Sequence, residues 1–207
     1  MLNPKKQQQI IASISQKELY INLYVTQAIF LGIALILSIV FDQDYHDWKS
    51  MIRFNPLMIL VWSVPAALLV IVCDLIIWSY LPFNWVDDGG INERIFSTIS
   101  IFHLAFLAFV IAVSEEILFR GVLQENIGYL TASVLFALMH IRYLLKPVLL
   151  TVAIILSFML GALFLWTDNL LIPILVHFLI DFILGLMIRF NWLVLSKKRN
   201  RQMRGEG

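Results

Sequence analysis

The residues best suited to chemistry stand inside long apolar runs, where they are most costly to keep. Those runs are interrupted at Asp74, His103, Glu115, Glu116, Arg120, His140, His177, Asp181 and, near the end of a run, Arg189. An ionisable side chain at the centre of a bilayer costs about 2.5–3.5 kcal/mol on insertion scales, so each one calls for a reason. Six of the nine fall into three short clusters: Glu115-Glu116-Ile117-Leu118-Phe119-Arg120, Phe136 to His140, and His177 to Asp181. A carboxylate and an imidazole that share a water make it nucleophilic, the carboxylate taking its proton. A second histidine with a hydrogen-bonding partner steadies the oxyanion formed when that water attacks a carbonyl. Glu116 and Arg120 then act as scaffolding, a charge pair that sets the rotation of its helix and supports Glu115. No serine or cysteine nucleophile stands beside a base, and the one cysteine is Cys73. Hydrolysis by activated water fits these residue types best.

Helical geometry gives each cluster its shape. Glu116 and Arg120 are four apart on one face, with the acid N-terminal to the base, the better orientation. Glu115 is rotated about 100° from Glu116, so the two carboxylates meet different neighbours. His177 and Asp181 share a face, and Phe136 lies one turn from His140, where it walls the pocket for the imidazole. A spanning helix needs about 20 mainly apolar residues. The sequence offers Tyr20–Phe41, Pro56–Leu81, Ile95–Asn126, Gly128–Leu145, Pro147–Trp166 and Leu170–Val194, six spans, the third over-long with a break expected near Ser114. At about 1.5 Å per residue, Glu115 lies about 16 Å from its outer helix end, His140 about 18 Å, His177 about 10 Å and Asp181 about 16 Å. Three helices of alternating direction thus bring their polar residues to a similar level, as one intramembrane site requires.

Composition agrees. Hydrophobic residues make up 60% of the 207 and charged residues 14%, with a mean hydropathy of +0.86. Soluble domains average about 45–50% and about 25%, so a soluble, disordered or collagen-like chain is excluded. A lone cysteine excludes a disulfide framework or cysteine-rich zinc module, and a net charge of +1 excludes nucleic-acid binding through bulk charge. The expected fold class is an all-α, polytopic membrane helix bundle of about six to seven transmembrane helices. Residues 1–19 form a cytoplasmic or interfacial arm, 20–194 the bundle with the motif region at 114–182, and 195–207 a basic tail. Lys5, Lys6 and Lys17 at one end, and Lys197, Lys198, Arg199, Arg201 and Arg204 at the other, place both termini in the cytoplasm. The loop with Arg142 and Lys146 falls on the same side and the acidic stretch 42–47 outside; the loop 82–94, with Arg94 alone, fits least well. The basic tail is a topology determinant that also lies close to membrane lipid. The first run, preceded by nearly 20 polar residues and without a small-residue cleavage site, reads as an anchor and not a removable signal peptide.

Glu-Glu-x-x-x-Arg, then Phe-x-x-x-His, then His-x-x-x-Asp, in this order on late membrane helices, resembles the CPBP family, the CAAX-protease and bacteriocin-processing (Abi) proteins. The likeness covers about a third of the chain, from Ser114 to Phe182, including GALFLWTDNLLIPILVHFLID from Gly161 to Asp181. It implies an intramembrane glutamic endopeptidase in which Glu115 is the general base, His140 helps activate water, and His177 and Asp181 occupy the oxyanion-stabilising positions, with Glu116, Arg120 and Phe136 supporting. The site residues include possible zinc ligands, but there is no HExxH pair, so the cofactor expectation is none. Eukaryotic relatives carry Asn at the position of Asp181. An ionised Asp cannot donate to an oxyanion, so Asp181 is either held protonated or serves to orient His177.

The resemblance implies a peptide or lipidated protein as substrate. A chain this short looks bacterial, in a plasma membrane, which points to bacteriocin, signal-peptide or self-immunity processing over prenylated CAAX proteins. The competing reading is a non-catalytic membrane scaffold or regulator. A proton-coupled transporter is weaker, because the short chain shows no inverted repeat. Outside the clusters, His103 reads as a helix–helix hydrogen bonder and Asp74 as paired with a neighbouring helix or the backbone. His46 and Asp168 are loop residues without an assigned role, and oligomeric state is not encoded legibly.

Overall fold

In the computed structural model, residues 14–86, 88–140, 143 and 146–192 are described. The arm with Lys5 and Lys6, Arg142, and the basic tail lie outside them. Helix α1 (Gln16–Val40) starts at a capping box: the Ser15 hydroxyl accepts from the Glu18 amide and the Glu18 carboxylate from the Ser15 amide. A second capping box, Asp44 with Asp47, starts the short helix α2 (Tyr45–Met51). Asn55 caps α3 (Pro56–Tyr80), whose Pro56 occupies the position where a missing N–H costs nothing. Two short helices, α4 (Phe83–Val86) and α5 (Ile91–Phe96), lead to α6 (Ile101–Glu116), capped by Ser100.

Helix α6 passes directly into a π-helix, Ile117–Gln124, and one last α turn, Glu125–Ile127. The break expected near Ser114 is therefore absent; the irregularity begins just after the paired glutamates. Gly128, at φ +87°, reverses the chain into α7 (Tyr129–Met139). Helices α8 (Pro147–Thr167) and α9 (Leu171–Arg189) complete the bundle.

Among the described residues five helices are long and apolar enough to cross a membrane: α1, α3, the continuous 101–127 unit, α8 and α9. The fourth expected span is shorter than its apolar run. Helix α7 has 11 residues, about 16 Å of rise and roughly half a hydrocarbon core. It ends at His140, whose backbone (φ −82°, ψ 40°) leaves the helix.

Two sets of contacts define the ends of the bundle. At one end the α8–α9 turn docks on the α2–α3 loop. Asp168 pairs with Arg53, Asn169 donates to the Arg53 carbonyl at 2.8 Å, and the Leu170 amide donates to the Met51 carbonyl at 2.8 Å. At the other end Tyr20 on α1 donates to the Ile95 carbonyl (2.8 Å), and Arg189 on α9 donates to the carbonyls of Ile99 (2.8 Å) and Ser97 (3.1 Å). The start of α1 and the end of α9 thus meet on the α5 side, opposite α2.

The core is built from stripes with helical spacing. Ile59, Ser63, Ala67 and Ile71 of α3 are buried against Ile172, Val176 and Ile180 of α9 and Leu160 and Leu163 of α8. Around this core large apolar side chains point outward: Phe102 is 90% exposed, Leu57 74% and Ile39 71%. Such a surface is at home in lipid, and it makes the chain a multi-pass membrane protein.

Candidate active site

Four segments carry the polar clusters: α1, the α6–π-helix unit, α7 and α9. Glu116, the last residue of α6, is fully buried. One of its oxygens accepts a hydrogen bond from His177 Nδ1 on α9 at 2.9 Å, and the other lies 3.2 Å from Arg120 Nε. Asp181, one turn along α9, places Oδ2 3.6 Å from His177 Nε2. An imidazole therefore sits between two carboxylates from different helices. The sequence suggests Asp181 as the group orienting His177; the shorter contact belongs to Glu116, which does more than scaffold.

Glu115 points elsewhere, as its 100° offset requires. Gln27 on α1 donates to Glu115 Oε1 at 3.4 Å and accepts from the Ser114 hydroxyl at 2.7 Å. His177 and Asp181 are within electrostatic range of the Glu115 carboxylate. Glu116 is sealed, whereas Glu115 is partly accessible and the Asp181 side chain is 31% exposed. Sealed and open carboxylates thus occupy adjacent positions on one helix.

His140 also lies partly open, at the end of α7. Its Nδ1 is 3.1 Å from the Phe136 carbonyl, so this nitrogen is the donor. The Phe136 ring stands 5.0 Å from His140 and 6.1 Å from His177, between centroids, and is the common wall of both imidazoles. Its face also receives the Arg120 guanidinium at 4.4 Å, a cation–π contact.

The π-helix holds this arrangement against α8. Arg120 donates to the Ser157 carbonyl at 2.8 Å and Gln124 to the Gly161 carbonyl at 2.8 Å, two α8 carbonyls one turn apart. Ser157 in turn donates to the Ser133 carbonyl of α7 at 2.9 Å. Gly161 is required by this packing, because a Cβ there would meet Tyr129 at 2.8 Å and the Gln124 amide oxygen at 2.9 Å. Helices with i→i+5 hydrogen bonds are rare and occur mostly at functional sites.

All seven residues singled out in the sequence clusters, Glu115, Glu116, Arg120, Phe136, His140, His177 and Asp181, line or support this one locus. Sequence reasoning missed Gln27, Ser114 and Ser157. Gln27 had a signal, an amide deep in the otherwise apolar first run, but a search restricted to ionisable groups passes over it. Outside the site, His103 Nε2 meets the Tyr24 hydroxyl on α1 at 2.9 Å, the helix–helix bond expected of it. The pairing expected for Asp74 is not found among the described residues.

Comparison with known proteins gives the same direction. Residues 97–183 match the sequence profile of the type II CAAX prenyl endopeptidase Rce1-like proteins. The chain is 40% identical over 166 residues to YpbD of Bacillus subtilis (strain 168), described as uncharacterized; the match spans 80% of this chain and 88% of that relative. No solved structure matches.

Proposed function

The chain belongs to the Rce1-like, CAAX-protease (CPBP) family, and from that premise we propose that it is an intramembrane endopeptidase acting on a membrane-associated peptide or lipidated protein. The observation that carries this reading is the adjacency of a partly open carboxylate, Glu115, to a buried Glu116–His177–Asp181 chain on a second helix. Glu115 takes a proton from a water whose oxygen attacks the scissile carbonyl carbon, and His140 Nε2 holds that water in place. His177, as an imidazolium between Glu116 and Asp181, donates Nδ1–H to Glu116 and offers Nε2–H to the developing oxyanion, and Asp181 sets the orientation or donates alongside it. The tetrahedral intermediate then collapses, and the departing amine recovers the proton held by Glu115.

A metal-free course is supported by the donor set. Among the described residues no three His, Cys, Asp or Glu side chains converge as ligands, and His177 Nδ1 is occupied by Glu116. Placement in a bacterial plasma membrane with both termini cytoplasmic is supported by the first turn of α1 and the last turn of α9 meeting on one side, together with the basic residues flanking the bundle.

The test compares membrane and secreted peptides from cells carrying wild type, Glu115→Gln, or no copy. Cleaved termini that vanish alike in the variant and the deletion establish the peptidase and name its substrate. A deletion phenotype fully rescued by normally expressed Glu115→Gln establishes the scaffold role instead.

A further inference from the structure

Among the described residues, five buried side-chain atoms make no hydrogen bond in the protein: Arg120 Nη1, Gln124 Oε1, Ser133 Oγ, Gln43 Oε1 and Glu116 Oε2, the last held by its ion pair with Arg120 Nε. They are not scattered. Glu116 precedes the π-helix, Arg120 and Gln124 belong to it, and Gln43 donates to the carbonyl of its Gly121 at 3.0 Å. Ser133 is tied to it through Ser157, which accepts from Arg120. Arg120 and Ser133 are each 1% exposed, Glu116 is fully buried and Gln124 is 6% exposed. An unpaired polar atom is destabilising anywhere in a protein interior and more so inside hydrocarbon. Several within one seam form the kind of site that ordered water occupies, because a buried water bonds to about three otherwise unsatisfied groups.

The seam also has an outlet. Beyond Gln124, the residues Glu125 and Asn126 line a cleft of about 170 Å³ on the α2 side, together with Gln43, Asp47 and Ser50. Along the π-helix the atoms without hydrogen bonds follow one another from Gln124, the chain neighbour of Glu125, through Arg120 to Glu116, with Ser133 joined to them through Ser157. Glu115, His140 and Asp181, the accessible members of the site, lie on the other side of Glu116, toward α5.

We propose that the π-helix is a hydrated conduit: bound water bridges Gln124, Ser133, Arg120 and Glu116 and carries water and exchangeable protons from the α2-side cleft into the intramembrane site. Its hydration stands on the seam alone; its use, to replenish the hydrolytic water while substrate occupies the site, rests on the peptidase reading above.

The test places a small thiol in the seam and reads its contact with water by infrared spectroscopy. In a Cys73→Ala background, Ser133→Cys puts an S–H where the unpaired hydroxyl stands. Ser63→Cys puts one at an equally buried site between α3 and α9, where the native hydroxyl is satisfied by the Ile172 carbonyl. On transfer to D₂O, the S–H band of Ser133→Cys is expected to be replaced by S–D at least about tenfold faster than that of Ser63→Cys. Adding Gln124→Leu or, separately, Gln43→Leu is expected to slow that exchange, with helical content checked for each variant by circular dichroism. Equal slow exchange at both thiols overturns the hydrated seam. Fast exchange that survives both leucine variants overturns the α2-side route. Adding Glu115→Gln is expected to leave exchange unchanged. A protein that exchanges at Ser133→Cys but cleaves nothing defeats the peptidase reading and spares the seam, whereas an active protein with a dry Ser133→Cys defeats the seam and spares the peptidase.

Discussion

Two interfaces in this bundle bury helices equally well and by opposite means. Between α3 and α9 the contact is an apolar stripe, Ile59, Ala67 and Ile71 against Ile172, Val176 and Ile180, with one hydroxyl, that of Ser63, bonded to a carbonyl. Between the π-helix, α7 and α8 the contact is made by a guanidinium, an amide and a hydroxyl, those of Arg120, Gln124 and Ser157. In lipid the first needs only shape, since apolar side chains are as content against acyl chains as against each other. The second needs every partner present. The difference teaches that the bundle has a structural half and a working half, and that the working half is specified by polar contacts whose loss the rest of the fold does not absorb.

The largest separation between the halves is expected in catalysis. Glu115→Gln removes the base and is expected to cut cleavage of an identified substrate by at least about 10²-fold, the usual contribution of general-base catalysis. Its thermal unfolding in detergent should stay near wild type, because Glu115 holds only a 3.4 Å bond to Gln27. Unimpaired cleavage would remove the distinction between the halves at its root.

Next comes the buried pair. Arg120→Met strands the Glu116 carboxylate and is expected to destabilise by about 3–5 kcal/mol, the typical cost of breaking a buried ion pair on one side. The double variant Glu116→Leu/Arg120→Met should recover much of that stability without activity. A double variant no more stable than the single would show that the seam is held by shape, like its counterpart.

Packing ranks third. Gly161→Ala forces a methyl against Tyr129 and Gln124, with an expected cost of about 1–3 kcal/mol from overpacking. In the dry interface Ser63→Ala is expected to cost only about 0.5–1.5 kcal/mol, the net worth of one hydrogen bond. If unfolding midpoints reverse that order, the comparison fails.

The smallest effect lies outside the bilayer. The amides of Asp47 and His46 hold the Asp44 carboxyl below the usual carboxylate range. A folded pKa below the unfolded one contributes stability above the unfolded value that is lost as pH falls through the folded value. Helix α2 should therefore keep its amide-exchange protection at neutral pH and lose it only under strong acid, measured at His46 and Asp47, while both interfaces stay protected.

How much of this was readable in the sequence follows from the same physics. Charge in an apolar run announces itself through its cost, and so Glu115, Glu116, Arg120, His140, His177 and Asp181 were legible as a set. Gln27 was not, because a neutral amide at depth breaks the apolar pattern only slightly. The second partner of His177 was not legible because sequence spacing shows only the i+4 neighbour Asp181, whereas Glu116 approaches from 61 residues away. The extent of α7 was overread because the four apolar side chains Ile141, Tyr143, Leu144 and Leu145 outweigh Arg142 in a hydropathy count, whereas the backbone leaves the helix at His140. The π-helix is invisible to an apolar count, since Ile117–Gln124 differs from its neighbours in hydrogen-bond register, not in side-chain type. For Asp74 cost predicts a partner, and none is found among the described residues.

The long span between partners has a consequence for synthesis. Glu115 finds its amide 88 residues back on α1, and Glu116 finds its imidazole 61 residues ahead on α9. During translation the paired glutamates enter the membrane with Gln27 already in place and His177 not yet made. Until the final helix is inserted, a carboxylate stands in the bilayer without its imidazole, and a chain that ends early keeps it so. The last helix therefore acts as a completion seal, and a truncated product bears an intramembrane defect that membrane quality-control proteases are suited to recognise.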